Sequence, residues 1–273
     1  MPIQIDVDKV IRQRLPRYYR FIPRWLIRWI EKTICQKDLN SLLISNEGRR
    51  GCDFCHGVLD DLDVKCQVLN PHMLPPREDC RVIFVSNHPL GALDGIAYID
   101  LLGKTYGPRL HFIVNDLLMA VEPLRDVFLP INKHGRQDRP SSQAIDKAFA
   151  GDAPILIFPA GLCSRKGDDG KIADLKWQKM FVNKAIEYKR DIIPLYFDGR
   201  NSSFFYNFAR LRTKLGLRLN IEMIYLPKEI FRARGSRFSF TVGQRIPYTT
   251  LQGGSRALAE AAGIRDKVYA LQS

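Results

Sequence analysis

A histidine and an aspartate stand six positions apart behind a short apolar run. The run is Val82–Val85, His88 follows it after Asn87, and Asp94 comes after a glycine-containing stretch. A carboxylate can accept a hydrogen bond from one imidazole nitrogen and fix the tautomer, so that the other nitrogen removes a proton from a nucleophile. The pair therefore indicates general-base chemistry. The alternative is a histidine that hydrogen-bonds a turn, with Asp94 as a helix N-cap.

A second polar stretch also follows an apolar run. Residues 154–158 are apolar, and after Pro159, Ala160 and Gly161 the chain continues with Ser164, Arg165 and Lys166. Small residues let a substrate approach the backbone, and two cations can bind an anionic group. Taken alone, the stretch is typical of a basic turn.

Together the two stretches resemble the glycerolipid (lysophospholipid) acyltransferase family. Asn87-His88 with Asp94 resembles its Asn-His-x4-Asp block, and residues 158–165 resemble its Phe-Pro-Glu-Gly-Thr-x-Ser-Arg block. Here five residues separate His88 from Asp94, and Ala160 replaces the motif glutamate. The motif His-Pro-Leu-Gly-x-Leu-Asp is similar to that of a branch of the family found in Bacteroidetes-type bacteria. Some members of that branch are associated with amino-acid lipids such as glycine lipids.

The resemblance implies an O-acyltransferase that uses an acyl thioester, either acyl-acyl carrier protein or acyl-CoA, and neither a metal nor a further cofactor. It implies that His88 is the general base for an acceptor hydroxyl, with an amine as the other possible nucleophile, and that Asp94 orients it. It also implies substrate-binding residues in the three blocks; these are Asn87, Gly161, Ser164, Arg165, Lys166 and, where the family has its second block, Lys133 with Arg136 or Arg139 as alternatives.

The acceptor stays open at this point. One candidate is a monoacylated amino-acid (glycine) lipid, whose carboxylate Arg165 and Lys166 would hold. The other is lysophosphatidic acid, whose phosphate the same cations would hold. Ala160 cannot make the polar contact of the family's glutamate, which favours a headgroup other than glycerol phosphate. A non-catalytic lipid-binding protein that keeps the fold is the alternative from another class. The missing glutamate and the longer gap between His88 and Asp94 support it, whereas the presence of the other motif residues argues against it.

The charge of the chain indicates an anionic partner. The 273 residues carry a formal net charge of +13, and the isoelectric point is about 9.6. The basic residues alternate with Trp, Phe and Ile, which favours a membrane surface. A nucleic-acid-binding function would rest on charge alone, and we therefore expect no nucleic-acid partner.

The N-terminal region predicts an amphipathic helix that begins after Pro23. Arg24 and Arg28 fall on one face, and Trp25 and Trp29 lie among the apolar positions, a pattern typical of a helix in the membrane interface. A helix packed on the core with solvated arginines is the alternative. No apolar stretch reaches the roughly 18 residues of a membrane span, and the start MPIQIDVDK lacks a signal-peptide core. We therefore expect a peripheral or monotopic protein on the cytoplasmic face of the inner membrane.

The order of elements predicts an α/β fold with a mixed β-sheet flanked by helices and an N-terminal amphipathic extension. We expect residues 1–75 to form the helical, membrane-associating extension and residues 76–273 the α/β acyltransferase domain. Apolar runs predict strands, and helical spacing predicts helices. The strands are expected at 82–85, 110–114, 154–158, 191–197 and 238–242, and the later helices at 117–128, 174–189 and 255–271.

The six cysteines are expected to be free thiols. Cys52, Cys55 and His56 match a haem-attachment pattern, and a zinc site that adds Cys66 is conceivable. Neither has a supporting second motif, so coincidence is the favoured explanation.

Overall fold

A computed structural model describes residues 4–131, 139–217 and 219–272. In this part of the chain, strands form a seven-stranded mixed sheet and a two-stranded ribbon. The strands are β1 (Lys65–Leu69), β2 (Val82–Ser86), β3 (His111–Asn115), β4 (Phe128–Ile131), β5 (Ile155–Ile157), β6 (Arg165–Lys166), β7 (Ile172–Ala173), β8 (Asp191–Asp198) and β9 (Arg237–Val242). The sheet order is β1-β9-β8-β2-β5-β3-β4, with β6 and β7 as the ribbon.

Helices cover both faces of this sheet. They are α1 (Val7–Arg14), α2 (Arg24–Thr33), α3 (Gln36–Ser45), α4 (Gly51–Asp61), α5 (Leu93–Tyr106), α6 (Arg139–Ala150), α7 (Met180–Glu187), α8 (Ser203–Lys214), α9 (Leu226–Arg232) and α10 (Ala257–Tyr269). Within the seven-stranded sheet, neighbouring strands pair in parallel except β8 with β9, which are antiparallel like the two strands of the ribbon. The expected mixed α/β fold is confirmed.

Strand β2 is the central strand, and its five residues are all buried. Val82 and Phe84 pack into the core beneath α4 and α5. Ile83 and Val85 pack into the core beneath α6, α7 and α10. A strand covered on both faces needs a continuous apolar run, and the β-branched residues of this run suit the pleated backbone. The sheet therefore carries residues 86–88 out of its middle.

The strands expected around residues 82, 110, 154, 191 and 238 are present, and so is the C-terminal helix. Strand β1 lies inside the range expected for the extension, yet it pairs in parallel with β9. The sheet of the α/β domain therefore begins before residue 76, and a boundary at 75 would cut through it.

One helix prediction was wrong, and another placed the start of its helix six residues too early. Residues 117–128 instead form short 3-10 turns, one of which contains Pro123, and β4 begins at Phe128. The helix expected from residue 174 begins only at Met180. The N–H of Asp174 donates to the Tyr269 hydroxyl at 2.7 Å, and the N–H of Gln178 donates to the Pro159 carbonyl at 2.9 Å. These tertiary hydrogen bonds replace the first helical turns.

The Cys-x-x-Cys-His stretch lies on α4, which packs against α5. A side chain at Gly103 of α5 would stand only 2.3 Å from the Cβ of Cys52, so the two helices approach closely at that point. Cys55 is buried, and burial raises the pKa of its thiol well above the usual range and that of Cys66 to about 12. Within the described ranges, no three His, Cys, Asp or Glu side chains are grouped as metal ligands.

Candidate active site

The two motifs leave the sheet at the same edge. Strands β2 and β5 are parallel neighbours with Val85 opposite Ile157, so residues 86–88 and Phe158 emerge side by side. The His88 ring stacks on the Phe158 ring with centroids 4.0 Å apart. The His88 side chain keeps 14% of its surface exposed, so a substrate can reach it. Ligands of open α/β sheets bind at this carboxyl-terminal edge.

His88 and Asp94 are in direct contact. The Nδ1 atom of His88 lies 3.0 Å from Oδ2 of Asp94. The buried carboxylate also accepts the backbone N–H groups of Leu90 at 2.9 Å, Gly91 at 3.3 Å and Gly95 at 2.9 Å. Asp94 stands in the first turn of α5, where the helix dipole favours negative charge. Because an ionised carboxylate can only accept, we assign the proton to Nδ1, and Nε2 carries the lone pair.

Gly91 accommodates the additional residue between His88 and Asp94. Its φ of +81° lies in the left-handed region, which favours glycine. A Cβ there would stand 3.0 Å from the Cβ of Cys163 and 2.9 Å from a methyl group of Leu226. The expected contact between His88 and Asp94 is therefore confirmed despite the longer gap, and the turn brings the first motif against the second.

Asp174 is a site residue that the sequence analysis missed. Its Oδ1 accepts the His88 backbone N–H at 3.1 Å and the Ser164 hydroxyl at 2.6 Å, and its Oδ2 accepts the Trp177 indole N–H at 2.9 Å. The Ser164 N–H donates in turn to the His88 carbonyl at 2.7 Å. Burial raises the pKa of Asp174, and the three hydrogen bonds oppose that rise. Asp174 thus joins the two motifs, although its position in sequence resembles an ordinary helix cap.

Ser164 and Asn87 were both predicted to bind substrate. The Ser164 hydroxyl is buried against Asp174. The Asn87 amide is buried against β8, where its oxygen accepts the Phe197 N–H at 2.7 Å and its nitrogen donates to the Phe197 carbonyl at 2.9 Å. In this structure the Asn87 side chain therefore holds the start of the first motif to the neighbouring strand.

Arg165 makes its charged contact within the protein. Its Nη2 donates to Glu222 at 2.7 Å, and its Nη1 donates to the carbonyl and the sulfur of Cys163, both at 2.8 Å. The Nε of Arg212 lies 2.8 Å from the other oxygen of Glu222. Two guanidinium groups thus share one fully buried carboxylate, which leaves this cluster one positive charge. Neither Glu222 nor Arg212 was predicted as a site residue, because both are far from the two motifs in sequence.

The remaining predicted residues are spread over several elements. Gly161 has a φ of +66° in the turn after β5, and Lys166 is half-buried in β6. Lys133 and Arg136 lie outside the described residues, and so does the side chain of Arg139. The four residues predicted to contact the membrane are all exposed on α2; they are Arg24, Trp25, Arg28 and Trp29. Among the described residues, every helix is too short or too polar to cross a bilayer.

Cys163 is buried beside the second motif. Burial raises the pKa of its thiol to about 11, and the nearby Arg165 opposes that rise. A thiol of this kind carries little thiolate at neutral pH, so the geometry offers His88 rather than Cys163 as the reactive group.

Comparison with known proteins identifies the family of the chain. The model of a family described as "Acyltransferase" matches residues 9–273, and the chain belongs to this acyltransferase family. It is 40% identical over 267 residues to a lyso-glycine lipid O-acyltransferase of Phocaeicola vulgatus, covering 98% of this chain and 95% of that protein. It is 39% identical to a protein of the same name from Bacteroides thetaiotaomicron, covering 98% and 97%.

Among solved structures, the chain is similar to the 1-acyl-sn-glycerophosphate (LPA) acyltransferase PlsC from Thermotoga maritima. The TM-score is 0.47 and the sequence identity is 15%, with 97% of this chain and 96% of that chain covered.

Proposed function

We propose that this acyltransferase transfers a fatty acyl group from an acyl thioester to the hydroxyl of a lyso-glycine lipid. The observation that carries the proposal is the His88–Asp94 contact of 3.0 Å at the edge of the central strands. The relatives named lyso-glycine lipid O-acyltransferase, which match 98% of this chain, support the choice of acceptor.

In the proposed reaction, Nε2 of His88 removes the proton of the acceptor hydroxyl. The oxygen attacks the thioester carbonyl and the carbon–sulfur bond breaks. The imidazolium then gives the proton to the leaving thiolate, which departs as a thiol and leaves His88 neutral. Asp94 stabilises this imidazolium through Nδ1, and the stack on Phe158 restrains the ring. The thioester is already activated, so no covalent acyl-enzyme is needed. Acyl carrier protein or CoA carries the donor, and neither a metal nor a further cofactor takes part.

The charge near the second motif supports a carboxylate headgroup. Arg165 and Arg212 share the buried Glu222, so one positive charge is left to attract an anion. A glycine carboxylate carries one negative charge and balances it, whereas a phosphate monoester carries nearly two at neutral pH. Lysophosphatidic acid is the competing acceptor.

The enzyme meets its lipid acceptor at the cytoplasmic face of the inner membrane. Helix α2 supports this location, because one side packs inward through Ile27 while Trp25 and Trp29 stay exposed. Arg24 and Arg28 flank the two tryptophans and suit anionic headgroups.

The first test is a comparison of lipid extracts from cells that contain the lyso-lipid acceptor. The cells express wild type, His88→Ala or the control variant His72→Ala, which replaces an exposed histidine outside the site. Untargeted mass spectrometry should detect a glycine lipid heavier by one acyl chain with wild type and His72→Ala, and not with His88→Ala. Formation of that lipid by His88→Ala would contradict the role of the base.

The second test uses purified enzyme with both donors and both acceptors. A kcat/KM for lyso-glycine lipid at least tenfold above that for lysophosphatidic acid is expected. The opposite order would replace the proposed acceptor with lysophosphatidic acid and leave the acyl transfer itself intact. Comparing acyl carrier protein with CoA in the same assay identifies the donor.

A further inference from the structure

Helix α8 has one face against the second motif and one face in solvent. Phe205, Tyr206 and Ala209 are buried, and the Arg165 guanidinium stands over the Phe205 ring at 5.4 Å from its centroid. On the other side, Leu211 is exposed. The helix therefore connects the neighbourhood of Arg165 to the protein surface.

Exposed apolar side chains continue beyond the end of α8. Leu215 is 66% exposed and Leu219 is 77% exposed, and both are more open than Trp29 of α2 at 45%. We call residues 211–217 and 219–221 the leucine segment; its exposed apolar members are Leu211, Leu215, Leu217, Leu219 and Ile221. Scattered apolar residues are ordinary on a surface, but several within one short segment mark a contact surface.

The unpaired charge that the described part of the leucine segment exposes is positive. Residues 203–221 contain four basic residues and neither Asp nor Glu. Arg212 turns inward to Glu222, and Arg210 pairs with Asp168 at 3.2 Å. Lys214 is exposed. A surface of leucines with cations matches an anionic bilayer, whereas a second copy of the chain docked through it would bring like charges together.

The leucine segment lies beside α2. It leads directly into the 3-10 turn Ile221–Tyr225, and this turn contacts α2. Helix α2 carries Trp25, which is 68% exposed. Two segments distant in sequence thus place exposed apolar and basic residues in one neighbourhood.

We propose that the leucine segment is a second membrane-contacting element, which inserts its leucines at the headgroup boundary of an anionic bilayer next to α2. This membrane contact goes beyond the proposed function and rests on it only for the assumption that the acceptor is a lipid. The buried face of α8 contacts Arg165 through Phe205, so the same helix borders the second motif and leads into the segment at the membrane.

The test is the binding of purified protein to vesicles of phosphatidylcholine with phosphatidylglycerol, measured by co-sedimentation. Leu215→Asn/Leu219→Asn should bind at least tenfold more weakly than wild type. Leu118→Asn/Leu258→Asn, a matched pair of exposed leucines on other elements, should bind like wild type. Pure phosphatidylcholine vesicles should bind wild type more weakly. Unchanged vesicle binding by the leucine-segment variant would overturn the proposal.

Two further measurements separate this proposal from its alternatives. Acyl transfer to detergent-dispersed acceptor should keep its kcat in the leucine-segment variant, because these side chains do not touch the reacting groups; this also controls for folding. If the variant loses as much acyl-transfer activity with acceptor in detergent as with acceptor in vesicles, the membrane role is overturned. The proposal would also be overturned if the wild type were an oligomer, the variant were a monomer, and both bound vesicles equally well. In that case a second copy of the chain would cover the segment. Each outcome is independent of which lipid is the acceptor.

Discussion

Asp94→Asn separates the charge of Asp94 from its geometry. The carboxylate has three donors at Oδ2 (His88, Leu90 and Gly91) and one at Oδ1 (Gly95). The amide of the variant loses the fewest hydrogen bonds if its oxygen takes the Oδ2 position and its NH2 group faces the Gly95 N–H. His88 should therefore keep its proton on Nδ1, and Nε2 should stay a base. The variant removes the negative charge and leaves the tautomer.

The size of the effect follows from the contact distance. A unit charge 3.0 Å from Nδ1 attracts an imidazolium by about 5–6 kcal/mol at an effective dielectric constant of ~20. The hydrogen bond that Nδ1–H of His88 donates to the neutral amide oxygen restores about 1–2 kcal/mol. The transition state should therefore lose about 3–5 kcal/mol, which lowers kcat by about 10²–10⁴. The unpaired N–H of Gly95 should also lower the free energy of unfolding by about 1–3 kcal/mol.

The assay measures kcat and KM with saturating acyl donor, beside wild type and His88→Ala, with unfolding in urea as the control for folding. We expect KM for the acceptor to change little. A kcat loss below tenfold would show that the Asp94 charge does not stabilise the imidazolium. A loss as large as that of His88→Ala would show that the ring has lost its tautomer, which would contradict the argument that the backbone donors orient the amide.

Four other predictions follow from buried groups. Glu222→Gln leaves two guanidinium groups without their shared carboxylate, so the ratio of kcat/KM for lysophosphatidic acid to that for lyso-glycine lipid should rise about tenfold; an equal change for both acceptors would contradict it. Arg190→Met removes the buried donor to the carbonyls of Val82, Ala148, Phe149, Gly151 and Ala153, so the free energy of unfolding in urea should fall by about 3–5 kcal/mol; a change below about 1 kcal/mol would refute it. Because the pKa of Cys163 is raised to about 11, its alkylation by iodoacetamide, followed by peptide mass spectrometry, should be slow at pH 7 and rise about tenfold per pH unit. Cys163→Ala should keep acyl transfer within about tenfold of wild type, and a loss above about 10³ would make Cys163 a nucleophile.

The sequence predicted the scaffold of the site well where the signal is local. Continuous apolar, β-branched runs predicted the two central strands, β2 and β5, because a strand buried on both faces needs that composition. The polar residues that follow such strands are then placed at one edge of the sheet. The contact between His88 and Asp94 was also predictable from local sequence, because only a short turn separates the two residues and Gly91 can adopt its positive φ.

Local signals were weaker where tertiary contacts replaced secondary structure. The spacing of residues 174–189 predicted a helix from Asp174, but the backbone there is bonded to Tyr269 and Pro159. Strand β1 was not predicted, because its residues alternate between exposed and half-buried positions at the edge of the sheet. Edge strands lack the continuous apolar run that identifies a central one.

The sequence by itself determined the acyltransferase class, the pair His88 and Asp94, and the strand that carries them, since each depends on residue types at short spacing. Only the tertiary structure decided what holds the site together. Asp174 meets His88 across 86 positions and Glu222 meets Arg165 across 57. A buried carboxylate must find donors wherever the fold brings them. The partners of Asp174 and Glu222 therefore depend on how β2, β5 and α8 pack together. Residue types at short spacing carry no information about that packing.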